Sequence, residues 1–220
     1  MTPRVCVYIV DDDDAVRASL QLVLASDDLP VTACRSGLDF LQHCGDDPAG
    51  CAILDLHMPG MNGLEVHQEL MRRHINLPVI FMTGHGDVQT TVQAMRAGAI
   101  DFLEKPYSSE IVLARVHEAL KCDEKWRKER ARFDDIQARL TELTPREAQI
   151  LEFVSRGTAS KVIAAELDIS ERTVELHRAR MMKKLGFRTL GELMNDFAEY
   201  RQYMAAKQAG ASANQVSPQA

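Results

Sequence analysis

The first 120 residues alternate short apolar runs with stretches of helical periodicity, and this alternation restricts the fold more than any other feature. The runs are rich in apolar and β-branched residues, as expected of buried strands. Between them, apolar residues recur three and four positions apart, as on one face of a helix. Strands that alternate with helices form a parallel sheet with right-handed crossovers. We therefore predict a five-stranded, doubly wound α/β domain with strands near residues 5–10, 31–34, 51–54, 78–82 and 100–103.

Polar side chains follow most of these strands. The acids Asp11–Asp14 follow the first strand, Asp55 the third and Thr83 the fourth, and Lys105 stands just beyond the fifth. The carboxyl ends of parallel strands meet at one edge of a sheet, where α/β proteins bind ligands. Carboxylates held together repel each other, so they need a cation such as Mg²⁺. We predict a magnesium-assisted phosphoryl site at Asp55, although an aspartate at this place could also serve only as a turn residue or helix cap.

The second half of the chain differs in charge and pattern. Residues 1–120 carry a formal net charge of −9, whereas residues 121–220 carry +3. Residues 121–141 are highly charged, lack Pro and Gly, and have apolar residues at helical spacing, which predicts a helical linker. Such a linker could transmit domain orientation or act as a solvated spacer. Residues 205–220 are rich in Ala, Gln, Ser and Gly, and we predict that they are disordered.

Residues 142–204 show the pattern of a small all-α domain. Thr144 and Glu147 form a predicted capping box, and a short turn at Asp168–Ser170 separates two further helices. A helix, a short turn and a second helix in a locally basic region are typical of a helix-turn-helix DNA reader. On a helical wheel, the helix over residues 171–185 turns its apolar side to the core and its mixed side outward. The predicted DNA contacts are Lys161, Arg172, Glu175, Leu176, Ala179, Arg180, Lys183 and Lys184, with Lys161 and Lys184 on phosphates.

Four separated motifs give the first half a specific resemblance to a known family. The motifs are IVDD at 9–12, ILDLHMPGMNG at 53–63, MTGHGD at 82–87 and DFLEKPY at 101–107. They resemble the receiver domain of bacterial two-component response regulators of the FixJ type, which has a flavodoxin-like and CheY-like fold. Residues 144–186 resemble the LuxR-type helix-turn-helix output domain of the same regulators. They depart from it at Ala159-Ser160, where the family usually has an asparagine before the lysine.

The resemblance implies a phosphorylation-switched transcription factor and not an enzyme. Its partners would be a sensor histidine kinase, double-stranded promoter DNA and RNA polymerase, and it would form a homodimer when phosphorylated, in the bacterial cytoplasm and away from membranes. Mg²⁺ would be its cofactor. The implied site residues are the phosphoacceptor Asp55, the magnesium ligands Asp11, Asp12, Asp55 and the backbone carbonyl of His57, and the phosphate-binding and switch residues Thr83, Lys105 and Phe102.

Two other functions stay open at this point. A phosphatase of the haloacid dehalogenase type would place its nucleophile in the Asp11–Asp14 cluster, but Ala15 departs from its pattern and Asp55 would be unexplained. Alternatively, the output half could bind protein or RNA. The five cysteines show no C-x-x-C spacing, which indicates reduced thiols. No apolar run approaches the length of about 18 residues that a membrane span needs.

Overall fold

The computed structural model of the chain describes residues 5–84 and 98–213, and for residues 208–213 it describes the backbone alone. The spacing of Val88, Val92 and Met95 predicts a helix before Gly98, but these three residues lie outside the described residues. The contacts between residues divide the chain into two units, Met1–Arg127 and Lys128–Ala220. This division falls inside the predicted linker.

The first unit contains the predicted parallel sheet. Its spatial strand order is 2-1-3-4-5, and every neighbouring pair is parallel. The two strands next to the first in this order are therefore the second and third, as in a doubly wound fold. The predicted fold class is confirmed. The strands are β1 (Cys6–Val10), β2 (Val31–Cys34), β3 (Gly50–Asp55), β4 (Val79–Thr83) and β5 (Asp101–Glu104).

Helices cover both faces of this sheet. They are α1 (Asp14–Ala25), α2 (Gly37–His43), α3 (Gly63–Arg72) and α4 (Ser109–Thr141). Side chains of β1 alternate between two apolar cores: Val7 and Ile9 pack with α1 and α4, whereas Tyr8 and Val10 pack with α2 and α3. Burial on both faces explains why the central strands are continuously apolar in sequence.

Helix α4 differs from the prediction in its length. It is one continuous helix of 33 residues, which joins the predicted last helix of the receiver to the predicted linker. The predicted boundary at residue 120 is therefore not a break in secondary structure. The reason lies in the sequence, because residues 109–141 contain neither Pro nor Gly to end a helix.

The second unit is a helical domain. Its helices are α5 (Pro145–Ser155), α6 (Ser160–Glu166), α7 (Glu171–Leu185) and α8 (Leu190–Ala213). The predicted capping box at the start of α5 is present, with Thr144 as the N-cap residue and Glu147 as its partner. The core unites residues from all four helices with Phe133 and Ile136, which lie in the second half of α4.

Helix α8 corrects one prediction. The composition predicts disorder from residue 205, but the helix continues to Ala213, and residues 214–220 lie outside the described part of the chain. The physical reason is that Ala, Lys and Gln, which fill residues 205–208, are good helix formers when a folded helix precedes them. None of the described helices is long and apolar enough to cross a membrane.

Candidate functional site

Three side chains from distant parts of the sequence meet at the carboxyl edge of the sheet. The ammonium group of Lys105, just after β5, donates hydrogen bonds to Asp11 Oδ2 at 2.9 Å and to Asp55 Oδ1 at 2.7 Å. Both acids are buried, with relative exposures of 1% for Asp11 and 6% for Asp55. The strand ends thus converge as the sequence predicted.

Backbone groups fix the orientation of both carboxylates. The amide of Asp13 donates to Asp11 Oδ1 at 2.8 Å, and the amide of His57 donates to Asp55 Oδ2 at 2.8 Å. In each acid, one oxygen is therefore held by the turn that follows the strand, while the other oxygen faces Lys105. Arg17 adds support from α1 by donating to the carbonyl oxygen of Asp11 at 2.6 Å. These hydrogen bonds hold both carboxylates in fixed orientations.

The charges in this pocket leave it negative. Burial alone would lower the pKa of Lys105, but its hydrogen bonds with Asp55 and Asp11 outweigh burial and raise the pKa, so the side chain stays charged. One ammonium faces two buried carboxylates, and Asp12, which follows Asp11 in the sequence, is exposed. The single ammonium does not balance the negative charge of the carboxylates, and carboxylate oxygens are suitable ligands for a hard divalent cation such as Mg²⁺.

Thr83 and Phe102 occupy the neighbouring strands. Thr83, which ends β4, is buried, and its hydroxyl donates to the carbonyl oxygen of Gly84 at 3.1 Å. Phe102 lies on β5 in register with Phe81, but the two rings differ in burial: Phe102 is 41% exposed, whereas Phe81 is 1% exposed. A surface position gives Phe102 room to turn. Residues 85–87 of the same motif lie outside the described residues.

Gly63, the first residue of α3, belongs to the site although it is not among the site residues predicted from the sequence. A Cβ atom at Gly63 would stand 2.4 Å from the carbonyl oxygen of Asp55. Only glycine therefore lets α3 begin so close to the backbone of the acid. The preceding residue, Asn62, caps α3 and forms a capping box with Glu65. The Asn62-Gly63 pair was the available signal in the sequence.

Helix α7 has its predicted apolar face in the core and its predicted mixed face at the surface. Val174, Met181 and Leu185 are buried in the core of the second unit. The opposite face is exposed and mixes cations with small and apolar groups, as a helix that reads the major groove does. Its exposed members are Arg172, Leu176, Ala179, Arg180 and Lys183, and Lys161 of α6 is exposed as well.

Glu175, another predicted DNA contact, is bound within the protein. Its carboxylate accepts a short hydrogen bond from the hydroxyl of Ser160, to which Arg178 donates at 2.7 Å. These contacts join the start of α6 to α7. Ala159, the N-cap residue of α6, makes no side-chain cap, and Ser160 contacts α7 from the next position. The sequence alone did not indicate Arg178.

Lys184 is also bound within the protein, and this contact changes its interpretation. Its Nζ lies 2.6 Å from Glu147 Oε2 and donates to the carbonyl oxygen of Glu142 at 3.0 Å. Glu147 is 3% exposed, and hydrogen bonds from Lys184 and from the backbone of Thr144 lower its pKa to about 2. The geometry favours a structural role for Lys184 over the predicted contact with a DNA phosphate.

A buried Asp–Asp–Lys pocket at the carboxyl edge of a 2-1-3-4-5 parallel sheet, followed by a helix-turn-helix domain, defines a receiver-type switch joined to a DNA-binding domain. Comparisons with known families agree with this class. Residues 7–117 match the response regulator receiver domain, and residues 141–195 match the luxR family of bacterial regulatory proteins.

Individual relatives match this chain over most of their length. The chain is 39% identical to the transcriptional regulatory protein FixJ of Bradyrhizobium diazoefficiens, over 88% of this chain and 95% of the relative. It is 44% identical to FixJ of Azorhizobium caulinodans, over 86% and 89%. The solved structure of the response regulator StyR is similar with a TM-score of 0.76 and 38% identity, over 89% of this chain and 98% of that chain. The chain therefore belongs to the response regulators that join a receiver domain to a LuxR-family output domain.

Proposed function

We propose that this chain is a transcription regulator of a two-component system whose DNA binding is switched by a phosphoryl group on Asp55. The observation that carries this proposal is the contact of one ammonium, on Lys105, with the two buried carboxylates of Asp11 and Asp55. Family membership supports the sensor kinase as the phosphoryl donor and duplex DNA as the target. We place this partnership in the cytoplasm.

Asp55 is suited to accept the phosphoryl group. Its Oδ1 attacks the phosphorus of a phosphohistidine on the kinase, so an O–P bond forms while the P–N bond breaks and its electron pair stays on the imidazole. Lys105 then donates a hydrogen bond to a phosphoryl oxygen. The negative charge of the phosphoryl group thus takes the place of the carboxylate charge that Lys105 neutralises before phosphorylation. Magnesium held by Asp11, Asp12, Asp55 and the backbone carbonyl of His57 would supply further neutralisation of the phosphoryl oxygens.

Thr83 and Phe102 would convert this charge into a change of shape. The hydroxyl of Thr83 leaves the carbonyl of Gly84 and donates to a phosphoryl oxygen. Phe102 turns from the surface into the space beside β4 that Thr83 vacates. Coupled movements of this kind shift the equilibrium between two conformations of the domain surface. We infer that the phosphorylated surface pairs two copies of the chain, so that two output domains bind a two-fold-related DNA site and contact RNA polymerase.

The DNA contacts follow from the exposed face of α7. We propose that Arg172, Arg180 and Lys183 bind guanine edges or phosphates, and that Leu176 and Ala179 lie against thymine methyl groups. Lys161 of α6 is placed to bind a phosphate. Glu175 and Lys184 are left out of this set, because both are engaged in contacts within the domain.

The test is phosphorylation by acetyl phosphate and Mg²⁺, followed by intact mass and by retention of genomic DNA fragments. The wild-type chain should gain one phosphoryl group and retain specific fragments more strongly. Asp55→Asn should gain none, whereas Asp46→Asn, which changes an exposed aspartate of the same domain, should behave as wild type.

Two results would contradict the proposal. One is uptake of phosphate by Asp55→Asn at the wild-type rate. The other is steady hydrolysis of phosphate esters that is lost on changing Asp11 but not Asp55, which would favour the phosphatase alternative.

A further inference from the structure

Three potential metal ligands of different chemistry lie together at the corner between β2 and α2, outside the site described above. Cys34 is the last residue of β2, and Asp39 and His43 lie one turn apart on α2. The thiol sulfur, a carboxylate oxygen and a ring nitrogen of these residues all lie within 4.8 Å of one another. Residues four apart share one face of a helix, so α2 turns both of its ligands toward the end of the strand.

We propose that Cys34, Asp39 and His43 bind Zn²⁺ or another transition metal of similar softness. Sulfur, imidazole nitrogen and carboxylate oxygen are the three ligand types that zinc accepts, and three protein ligands leave one position for water. The donors of a tetrahedral zinc site are about 3.4–3.6 Å apart, by the usual metal–ligand distances. The spacing at this corner is close enough that small side-chain rotations would complete the site.

Existing contacts already orient the two ligands on α2. The Nδ1 atom of His43 lies 2.8 Å from the carbonyl oxygen of Asp39 and 3.1 Å from Asp39 Oδ1. The other carboxylate oxygen of Asp39 accepts a hydrogen bond from the backbone amide of Arg35 at 3.1 Å. Metal-binding histidines and carboxylates are commonly held by outer contacts, as His43 is here by the carbonyl oxygen and Asp39 by the amide of Arg35, whereas the contact between Nδ1 and Asp39 Oδ1 joins two of the proposed ligands. The two side chains are therefore partly ordered before a metal binds.

The corner can be reached from solvent at His43. Cys34 is buried, whereas the side chain of His43 is 60% exposed. His43 also lines a surface cavity of about 460 Å³, together with Cys6, Tyr8 and Thr32. Burial and the charge of Asp39 raise the pKa of Cys34 to about 12, so an incoming metal must displace the thiol proton, as metals do when they bind cysteine.

The corner is one hydrogen bond away from the phosphoryl site. The backbone amide of Asp11 donates to the carbonyl oxygen of Cys34 at 3.3 Å, and Val10 pairs with Cys34 in the sheet. A metal on Cys34 would hold the end of β2 against α2 and so stiffen one wall of the acidic pocket. This role is distinct from that of Mg²⁺, which prefers oxygen ligands alone.

Cobalt is a suitable probe, because Co²⁺ replaces zinc and absorbs light when a thiolate binds it. The full chain, treated with a chelator and dialysed, is titrated with Co²⁺ and then with Zn²⁺. We expect one equivalent of Co²⁺ to give a thiolate-to-cobalt charge-transfer band, which Zn²⁺ removes. Zn²⁺ should also raise the unfolding temperature, since a ligand that binds only the folded state stabilises it.

Variants locate the metal. His43→Ala changes an exposed side chain and should keep the fold, yet weaken Co²⁺ binding at least tenfold. Cys34→Ser should abolish the band. Cys122→Ser, which removes a thiol of α4, and Asp55→Asn, which alters the acidic pocket, should both retain it. The absence of a thiolate band, or a band unchanged in His43→Ala and Cys34→Ser, would overturn the proposal without bearing on phosphorylation of Asp55.

Discussion

Lys184 near the end of α7 and the buried Glu147 in the first turn of α5 form a partly buried ion pair, with 2.6 Å between Nζ and Oε2. The same carboxylate oxygen accepts a hydrogen bond from the backbone amide of Thr144 at 2.9 Å. One acid therefore caps α5 and ties it to the helix proposed to read DNA. Burying charged groups costs desolvation free energy, so the pair itself adds little to the stability of the domain. Removing one partner destabilises the domain more, because the other charge is left unpaired.

Replacing Glu147 should destabilise the output domain. Glu147→Gln keeps a hydrogen-bonding group near Thr144 but leaves Lys184 without its counter-charge, and the expected loss is about 1–3 kcal/mol. Circular dichroism during urea unfolding measures it. Glu152→Gln is the matched control, because Glu152 lies on the same helix with a half-exposed side chain. Equal stability of the two variants would contradict the role given to the ion pair.

The pH dependence of this contribution has a defined sign. The pKa of Glu147 is lowered to about 2 from an ordinary value of 4.5. Its stabilising effect should be fully present above pH 4.5 and should decline as the pH falls from there toward 2. Glu147→Gln should lack this part of the acid sensitivity.

Arg180 and Lys161 should separate base reading from phosphate binding. Arg180 lies on the exposed face of α7, so Arg180→Ala should weaken binding to a specific site by about 1–3 kcal/mol and binding to random DNA much less. Lys161→Ala should weaken both by similar factors and reduce the salt dependence by about one counterion. Fluorescence anisotropy at several salt concentrations measures both. Identical losses for both variants on both DNAs would remove the distinction between a base contact at Arg180 and a phosphate contact at Lys161.

Gly63 should control the position of Asp55. In Gly63→Ala the new methyl group would meet the carbonyl oxygen of Asp55, and because α3 must then shift, we expect phosphorylation by acetyl phosphate to slow at least tenfold. Gly37→Ala is the matched control: its methyl group would meet Val66 Cγ2 at 2.3 Å, so it should reduce stability while the phosphorylation rate of the folded protein stays near wild type. Similar rates in both variants would show that the close approach at Gly63 has no part in the site.

The predictable part of this protein follows from periodic patterns and strand ends. Asp11, Asp55 and Lys105 were predicted to meet because parallel strands bring their carboxyl ends to one edge, whatever their distance in sequence. The partner of Lys184 was not predictable in this way. A helical wheel gives the direction of a side chain around its own helix, but Glu147 comes to lie opposite Lys184 only through the packing of α5 on α7. Burial of Asp123 likewise depends on how α4 packs on the start of β3, and the highly charged sequence around it gave no sign of a buried acid.

Asp123 provides the last prediction, because it is a carboxylate buried in the first unit. Its Oδ2 accepts a hydrogen bond from the backbone amide of Gly50 at 2.9 Å, while Oδ1 has no hydrogen-bond partner in the described part of the chain. Nearby, Arg127 donates to the carbonyl oxygen of Pro48 at 3.2 Å. Burial raises the pKa of Asp123 above its ordinary value of 3.8, although Gly50 and Arg127 oppose the shift. The charged form is therefore disfavoured in the folded state.

A raised pKa in the folded state means that stability falls as the pH rises from 3.8 through the folded value. Asp123→Asn removes this titration, so the stability of the variant relative to wild type should increase with pH across that window and then stay constant. Urea unfolding at a series of pH values measures the difference. Asp134→Asn, on the same helix with a half-exposed side chain, should show no such trend. A difference for Asp123→Asn that does not change with pH would mean that the carboxylate of Asp123 is no harder to ionise in the folded chain than in the unfolded one.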